Sequence, residues 1–228
     1  MRKKQYRCVI FDVSGTIVQK HPTMAERVDG MLNHLRVPHS LNDVERMVAN
    51  CEYELGSRAH LEKEQADDRL FLARMLAAQC SRLWPNKVHP ASAARQIAES
   101  AEAYSLAPGV WKVLSSLKCQ GIKLGFAGQG TPTLRFALEE MELISFADCM
   151  MLRDKADTGS QSILQLCEQC DVLPEETLYV CDHPADVKRA HAAGVDAAWL
   201  PSNLWFRLPD DSADYLLNDF SKLLDLII

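Results

Sequence analysis

The sequence predicts an α/β fold: a mostly parallel sheet with helices on both faces, interrupted after its first strand by an inserted helical block. Three observations predict it. A short apolar run, Cys8-Val9-Ile10-Phe11, stops abruptly at Asp12, as a fully buried strand does. Residues 22–103 then show helix-like periodicity with scarce glycine and no convincing strand. From residue 106 strand-like and helix-like segments alternate, the order that builds a parallel sheet covered on both faces. At 228 residues the chain suits one large domain or a core with one sizeable insertion. Residues 1–20 and 104–228 are expected to form the core, and 21–103 the insertion.

The first strand is expected over 6–12. Segments 24–35 and 42–55 carry apolar residues at three- and four-residue intervals, which predicts two helices. Segment 69–83 does so more strongly, through Leu70, Leu72, Ala73, Leu76 and Leu83. An Ala-rich helix follows over 92–103, set off by Trp84-Pro85-Asn86 and His89-Pro90. Four successive helices with short connections read as a small bundle. Beyond Pro108-Gly109 come a helix at 110–119 and a strand at 121–127 entering the turn Gly128-Gln129-Gly130. A helix at 133–141, a strand at 147–152 and a helix at 160–170 are next. Strand 177–181 is closed by Asp182, and helix 185–193 is stopped by Gly194. A strand at 196–200 and a closing helix within 214–228 complete the chain.

Composition narrows the function. Hydrophobic residues at 47% and charged residues at 25% specify a packed core rather than a disordered chain. A net charge of −6 leaves no basic footprint, so no nucleic acid partner is expected. No run of about 18 apolar residues exists to span a membrane, so no membrane partner is expected either. The run at 8–11 is too short for an export signal, and a cytoplasmic location follows as the expectation. The eight cysteines are then expected as reduced thiols. Cys167-Glu-Gln-Cys170 lacks a second pair and reads as helix packing. Trp205, Phe206 and the apolar tail 223–228 read as core. The oligomeric state is left open.

The informative residues are acids. In an open parallel sheet, ligands bind beyond the carboxyl ends of the strands. Two strands end in an acid there, at Asp12 and at Asp182, with Asp186 four residues further on. Converging carboxylates repel, and a divalent cation relieves the repulsion. Oxygen donors suit Mg²⁺, whose octahedral shell is completed by water and substrate phosphate. A carboxylate placed there can also attack phosphorus.

Asp12-Val13-Ser14-Gly15-Thr16 is similar to the first motif of the haloacid dehalogenase superfamily, an aspartate nucleophile followed by x-x-Gly-Thr. Val180-Cys181-Asp182-His183-Pro184-Ala185-Asp186 resembles its fourth. Leu106 to Val110, Ala192-Ala193-Gly194 and Ala213 to Leu216 extend the likeness over nearly the whole chain. The resemblance implies a Rossmann-like core with a four-helix cap inserted after the first motif. It implies Asp12 as nucleophile and Mg²⁺ ligand, with Thr16 in the same catalytic turn. The Ser14 carbonyl and Asp182 would complete the protein's share of the metal shell, with Asp186 beside them. The implied substrate is a small phosphorylated metabolite, or a phosphonate, passing through an aspartyl-phosphate. Hinges are expected around 18–22 and 104–108, where the chain crosses to the cap and back.

Several positions depart from the family's pattern. Ser14 stands where most family phosphatases carry a second aspartate as general acid and base. The phosphonoacetaldehyde hydrolases of the superfamily also lack that acid and use a cap lysine; Lys63 is the nearest candidate, on an acid-flanked helix face. Gly128 replaces the second motif's hydroxyl, leaving its backbone N–H, with Gln129 alongside, to contact substrate; Thr131 follows three residues on. Asp157 stands where the third motif has lysine, with Lys155 two residues earlier as the replacement cation. Arg58 and His60 of the cap read first as surface residues, with substrate contact the alternative; Arg58 is the substrate-binding candidate of the two. Dehalogenation is disfavoured, because Asp182 with Asp186 is the metal-type arrangement. Two expectations follow: a Mg²⁺-dependent hydrolase acting through Asp12, or a catalytically degenerate protein of this fold with a ligand- or partner-binding role.

Overall fold

The computed structural model describes residues 5–58, 68–99, 103–153, 160–200 and 212–227. Lys63, His60, Lys155, Asp157, Trp205 and Phe206 lie outside them. The described residues fall into two compact units, one carrying the main sheet and its helices, the other four helices.

Eight strands are described: β1 (Cys8–Asp12), β2 (Val18–His21), β3 (Ala103–Leu106), β4 (Lys123–Gln129), β5 (Cys149–Arg153), β6 (Thr177–Cys181), β7 (Asp196–Trp199) and β8 (Tyr215–Leu216). Six form one sheet in the order β5-β4-β1-β6-β7-β8, with every pairing parallel. β1 up to Phe11, and the whole of β6, are built of apolar, aromatic and β-branched residues because both faces are covered. Helices α5 (Val110–Cys119), α6 (Pro132–Glu140) and the short α9 (Leu223–Ile227) belong to one covering layer. There Val9, Phe11, Leu124, Phe126 and Val180 share a core with Leu114, Leu117 and Leu138, and Phe11 stacks on Phe220 at 5.7 Å. Helices α7 (Ser160–Gln169) and α8 (Pro184–Ala192) cover the strands from the other face. The Rossmann-like α/β core is therefore present.

The second unit holds α1 (Met24–His34), α2 (Leu41–Arg58), α3 (Asp68–Leu83) and α4 (Pro90–Ala98). Val28, Leu32, Val48, Leu76 and Ile97 share its own core. Thr23 opens α1 with a capping box: its hydroxyl accepts from the Glu26 N–H while Glu26 accepts from the Thr23 N–H.

Several expectations are corrected. The fourth helix begins at Pro90 and ends at Ala98, and Ala103–Leu106 is a strand paired with β2. β2 and β3 form a two-stranded ribbon of their own. β4 runs on through Gly128 and Gln129 because its tip continues to pair with Leu152 and Arg153 of β5. The chain ends in a two-residue strand, a 3₁₀ turn and α9 rather than in one helix. Cys149 and Cys170 form a disulfide, against the expectation of reduced thiols throughout: the start of β5 and the end of α7 bring their Cα atoms to 6.1 Å, within bridging range. Cys167 is buried and free, as packing requires.

Candidate active site

β1 and β6 are neighbours, with Phe11 opposite Val180, so their carboxyl ends lie side by side at the centre of the sheet. β4 flanks β1 on the other side, with Ala127 opposite Asp12. Chain order reverses direction across β1, and such a switch point leaves a crevice for ligands. Asp12 ends β1, and Asp182 follows the last residue of β6. Trp199, from β7, donates its indole N–H to the Asp182 carbonyl at 2.9 Å and fixes that strand tip. His183 then caps α8, its Nδ1 accepting from the Ala185 N–H at 3.1 Å. This immediate helix start puts Asp186 in the first turn, close to Asp182.

The segment after Asp12 turns tightly. The Val13 N–H donates to the Ala127 carbonyl at 3.0 Å, and the Ile17 and Val18 N–H groups donate to the Val13 carbonyl. Gly15 turns the chain at φ +100°, and any Cβ there would collide with the Asp182 carboxyl group, its Cγ lying 2.6 Å away. Only glycine lets the first turn sit against the second acid. Gly128 sits on the far side of Asp12, where a Cβ would lie 3.3 Å from Asp12 Oδ1. Ser14 is exposed; Thr16 is fully buried, and its hydroxyl has no hydrogen-bond partner among the described residues.

Electrostatics join the three acids. Burial, then the charges of Asp186 and Asp182, push the Asp12 carboxyl well above its ordinary range. Burial and Asp186 push Asp182 up to about 7. Burial and the same acids also raise the Cys181 thiol on β6. Arg189, one turn along α8, forms an ion pair with Asp186 and favours the charged form of Asp12. No group of three or more His, Cys, Asp or Glu side chains among the described residues is arranged to hold a metal by itself. The donor set nevertheless fits Mg²⁺, which keeps several waters and takes one or two carboxylates rather than a full protein cage. The crowded charge at Asp12 and Asp182 is what such an ion relieves, and the unsatisfied Thr16 hydroxyl marks the turn as a place where a ligand completes the polar contacts.

The structure thus brings together Asp12, Ser14, Thr16, Gly128, Asp182 and Asp186. Gln129 ends β4, and Arg58 ends α2 in the other unit. Trp199 and Arg189 were not anticipated from the sequence. Arg189 had a signal, since it lies three residues after Asp186 on an expected helix; a strand tryptophan gives none.

Residues 9–200 match the family described as haloacid dehalogenase-like hydrolase. The chain belongs to that family. It is 28% identical to a phosphoglycolate phosphatase of Pseudomonas putida, over 96% of this chain and 78% of that one. A predicted phosphoglycolate phosphatase from Haemophilus somnus has the same fold at TM-score 0.66 and 18% identity, covering 98% of this chain and 99% of the other. A putative hydrolase of the family from Bacillus subtilis, solved bound to magnesium, aligns at TM-score 0.68 and 18% identity over 98% and 99% of the two chains. Among the described residues no helix is long and apolar enough to cross a membrane.

Proposed function

We propose that this family member is a Mg²⁺-dependent phosphatase of a small phosphorylated metabolite, with Asp12 as nucleophile. One observation carries the reading: Asp12 and Asp182 end adjacent parallel strands closely enough for each to be desolvated and crowded by negative charge. The relatives' names make phosphoglycolate the first substrate to try. A carboxylate oxygen of Asp12 attacks phosphorus in line, and the ester P–O bond breaks. The leaving oxygen takes its proton from solvent, because the Ser14 hydroxyl is a poor acid near neutrality. Water then cleaves the acyl phosphate, releasing inorganic phosphate and restoring the Asp12 carboxylate. Mg²⁺, held by Asp12, Asp182 and the Ser14 carbonyl with Asp186 beside them, would supply the charge neutralisation such crowding needs. The Gly128 N–H, Gln129 and Thr16 would contact or order the phosphoryl group. Lys155 would add positive charge. The four helices would act as a cap that shapes selectivity, and the protein would work in the cytoplasm.

The test is phosphate release from a phosphomonoester panel headed by phosphoglycolate, with and without Mg²⁺. Wild type is expected to turn over only with Mg²⁺, and Asp12→Asn to lose at least about 10³-fold in kcat. Turnover that survives Asp12→Asn would rule out the nucleophile. Ser14 and Gly128 favour a second reading, a degenerate member that binds ligand or partner without turnover. Mg²⁺ uptake with no activity on the panel is the result that selects it.

A further inference from the structure

The acid cluster has a built-in cation whose role the proposed chemistry does not yet use. Arg189 lies on α8 one turn beyond Asp186, and its Nη1 is paired with Asp186 Oδ1. Asp186 is 8% exposed, so its charge is poorly screened by water. The Arg189 side chain is 40% exposed, so its own desolvation is partial while its head group reaches the buried acid.

Counting charges gives the pair a purpose. Asp12, Asp182 and Asp186 bring three negative charges to one strand edge. Arg189 leaves two, the charge that one divalent cation matches. With the acids ionised by the bound cation, an arriving phosphoryl group meets a neutral cluster. Without the guanidinium it would meet a net negative one.

We propose that Arg189 is a positioning residue that holds Asp186 in an ion pair, leaving Asp12 and Asp182 as the metal-binding carboxylates and keeping the loaded pocket neutral enough to admit a phosphoryl dianion. The proposal rests on the phosphatase reading and reassigns Asp186 within it, from metal neighbour to partner of Arg189. The charge of Asp186 raises both Asp12 and Asp182, whereas that of Arg189 lowers Asp12, so the two side chains act on the nucleophile with opposite sign.

Opposite sign gives a test that a merely structural ion pair would fail. Calorimetric titration of the full chain with MgCl₂, and then with inorganic phosphate at saturating Mg²⁺, reads both affinities without turnover. Arg189→Ala is expected to bind Mg²⁺ tighter and phosphate weaker, each by at least about fivefold, the effect one nearby unit charge has even through water-like screening. Arg189→Lys should return both to within about twofold of wild type, because the charge is kept. Asp186→Asn should move both affinities the opposite way to Arg189→Ala. If Arg189→Ala weakens both ligands, or moves neither, the proposal is overturned. Should that variant fail to fold, lysine and Asp186→Asn carry the test, and parallel losses in both overturn it equally. Wild type that takes up neither probe would instead remove the phosphatase reading, and this inference with it.

Discussion

Gly15 shows how much of the site depends on one missing methyl group. At φ +100° an L side chain is strained, and the Asp182 carboxyl occupies the space a Cβ would need. Gly15→Ala must therefore twist the turn that follows Asp12 or push Asp182 away. We expect a loss of about 1–3 kcal/mol in stability together with at least tenfold weaker Mg²⁺ binding. Denaturant unfolding and calorimetry check the two effects; wild-type values for both would mean the turn does not rest on Asp182. At this scale the sequence was informative wherever an acid ended an apolar run, as at Asp12 and Asp182. It was silent on contacts made across strands. Trp199 reaches the Asp182 carbonyl only because β7 lies beside β6, and no local spacing encodes that neighbour.

Where one pattern dominates and stops sharply, an element was legible to the residue; elsewhere the bounds drifted, as in the fourth helix, expected over 92–103 and found at Pro90–Ala98. Helix 110–119 and strand 177–181 coincide with α5 and β6, since each has one dominant pattern and a sharp stop. β2 and β3, four residues each, are too short for any periodicity to stand out, and only their pairing makes them strands. Burial of a charge is likewise invisible locally. Arg27, on α1, is charged yet only 5% exposed. Its Nε donates to the Pro22 carbonyl at 3.0 Å and its Nη1 to the Ile97 carbonyl at 3.2 Å. Ile97 lies in the last turn of α4, where carbonyls lack intrahelical partners and the dipole favours a cation. Arg27→Met keeps the apolar stem but leaves a buried helix-end carbonyl short of its donor. A loss of about 2–3 kcal/mol is expected, with faster amide exchange concentrated at the end of α4. Unchanged exchange there would show that Arg27 does not hold the two helices together.

For the whole molecule, composition and the alternation of elements were enough to set the class, because a parallel sheet needs helices on both faces and this chain supplies them in order. Cysteine chemistry was not readable in the same way. Cys170 has its near sequence neighbour in Cys167, but its partner is Cys149, 21 residues away and across the β5–α7 connection. The bridge closes that connection at its base, tying the start of an edge strand to the end of the helix that packs on it. Closing a loop of this length restrains the unfolded chain by about 3 kcal/mol. In a protein of this size that corresponds to roughly 6–12 °C in Tm. Calorimetric melting with and without a phosphine reductant should differ by that amount for wild type. Cys170→Ala should melt at the reduced wild-type temperature under both conditions, because it has no bridge to lose. Free Cys119 is exposed and offers a rival pairing between copies. A Cys119→Ser variant that keeps the full reductant-dependent shift assigns the effect to Cys149–Cys170. Identical melting of wild type in both conditions, with both thiols open to alkylation, would show the two sulfurs to be neighbours without a bond.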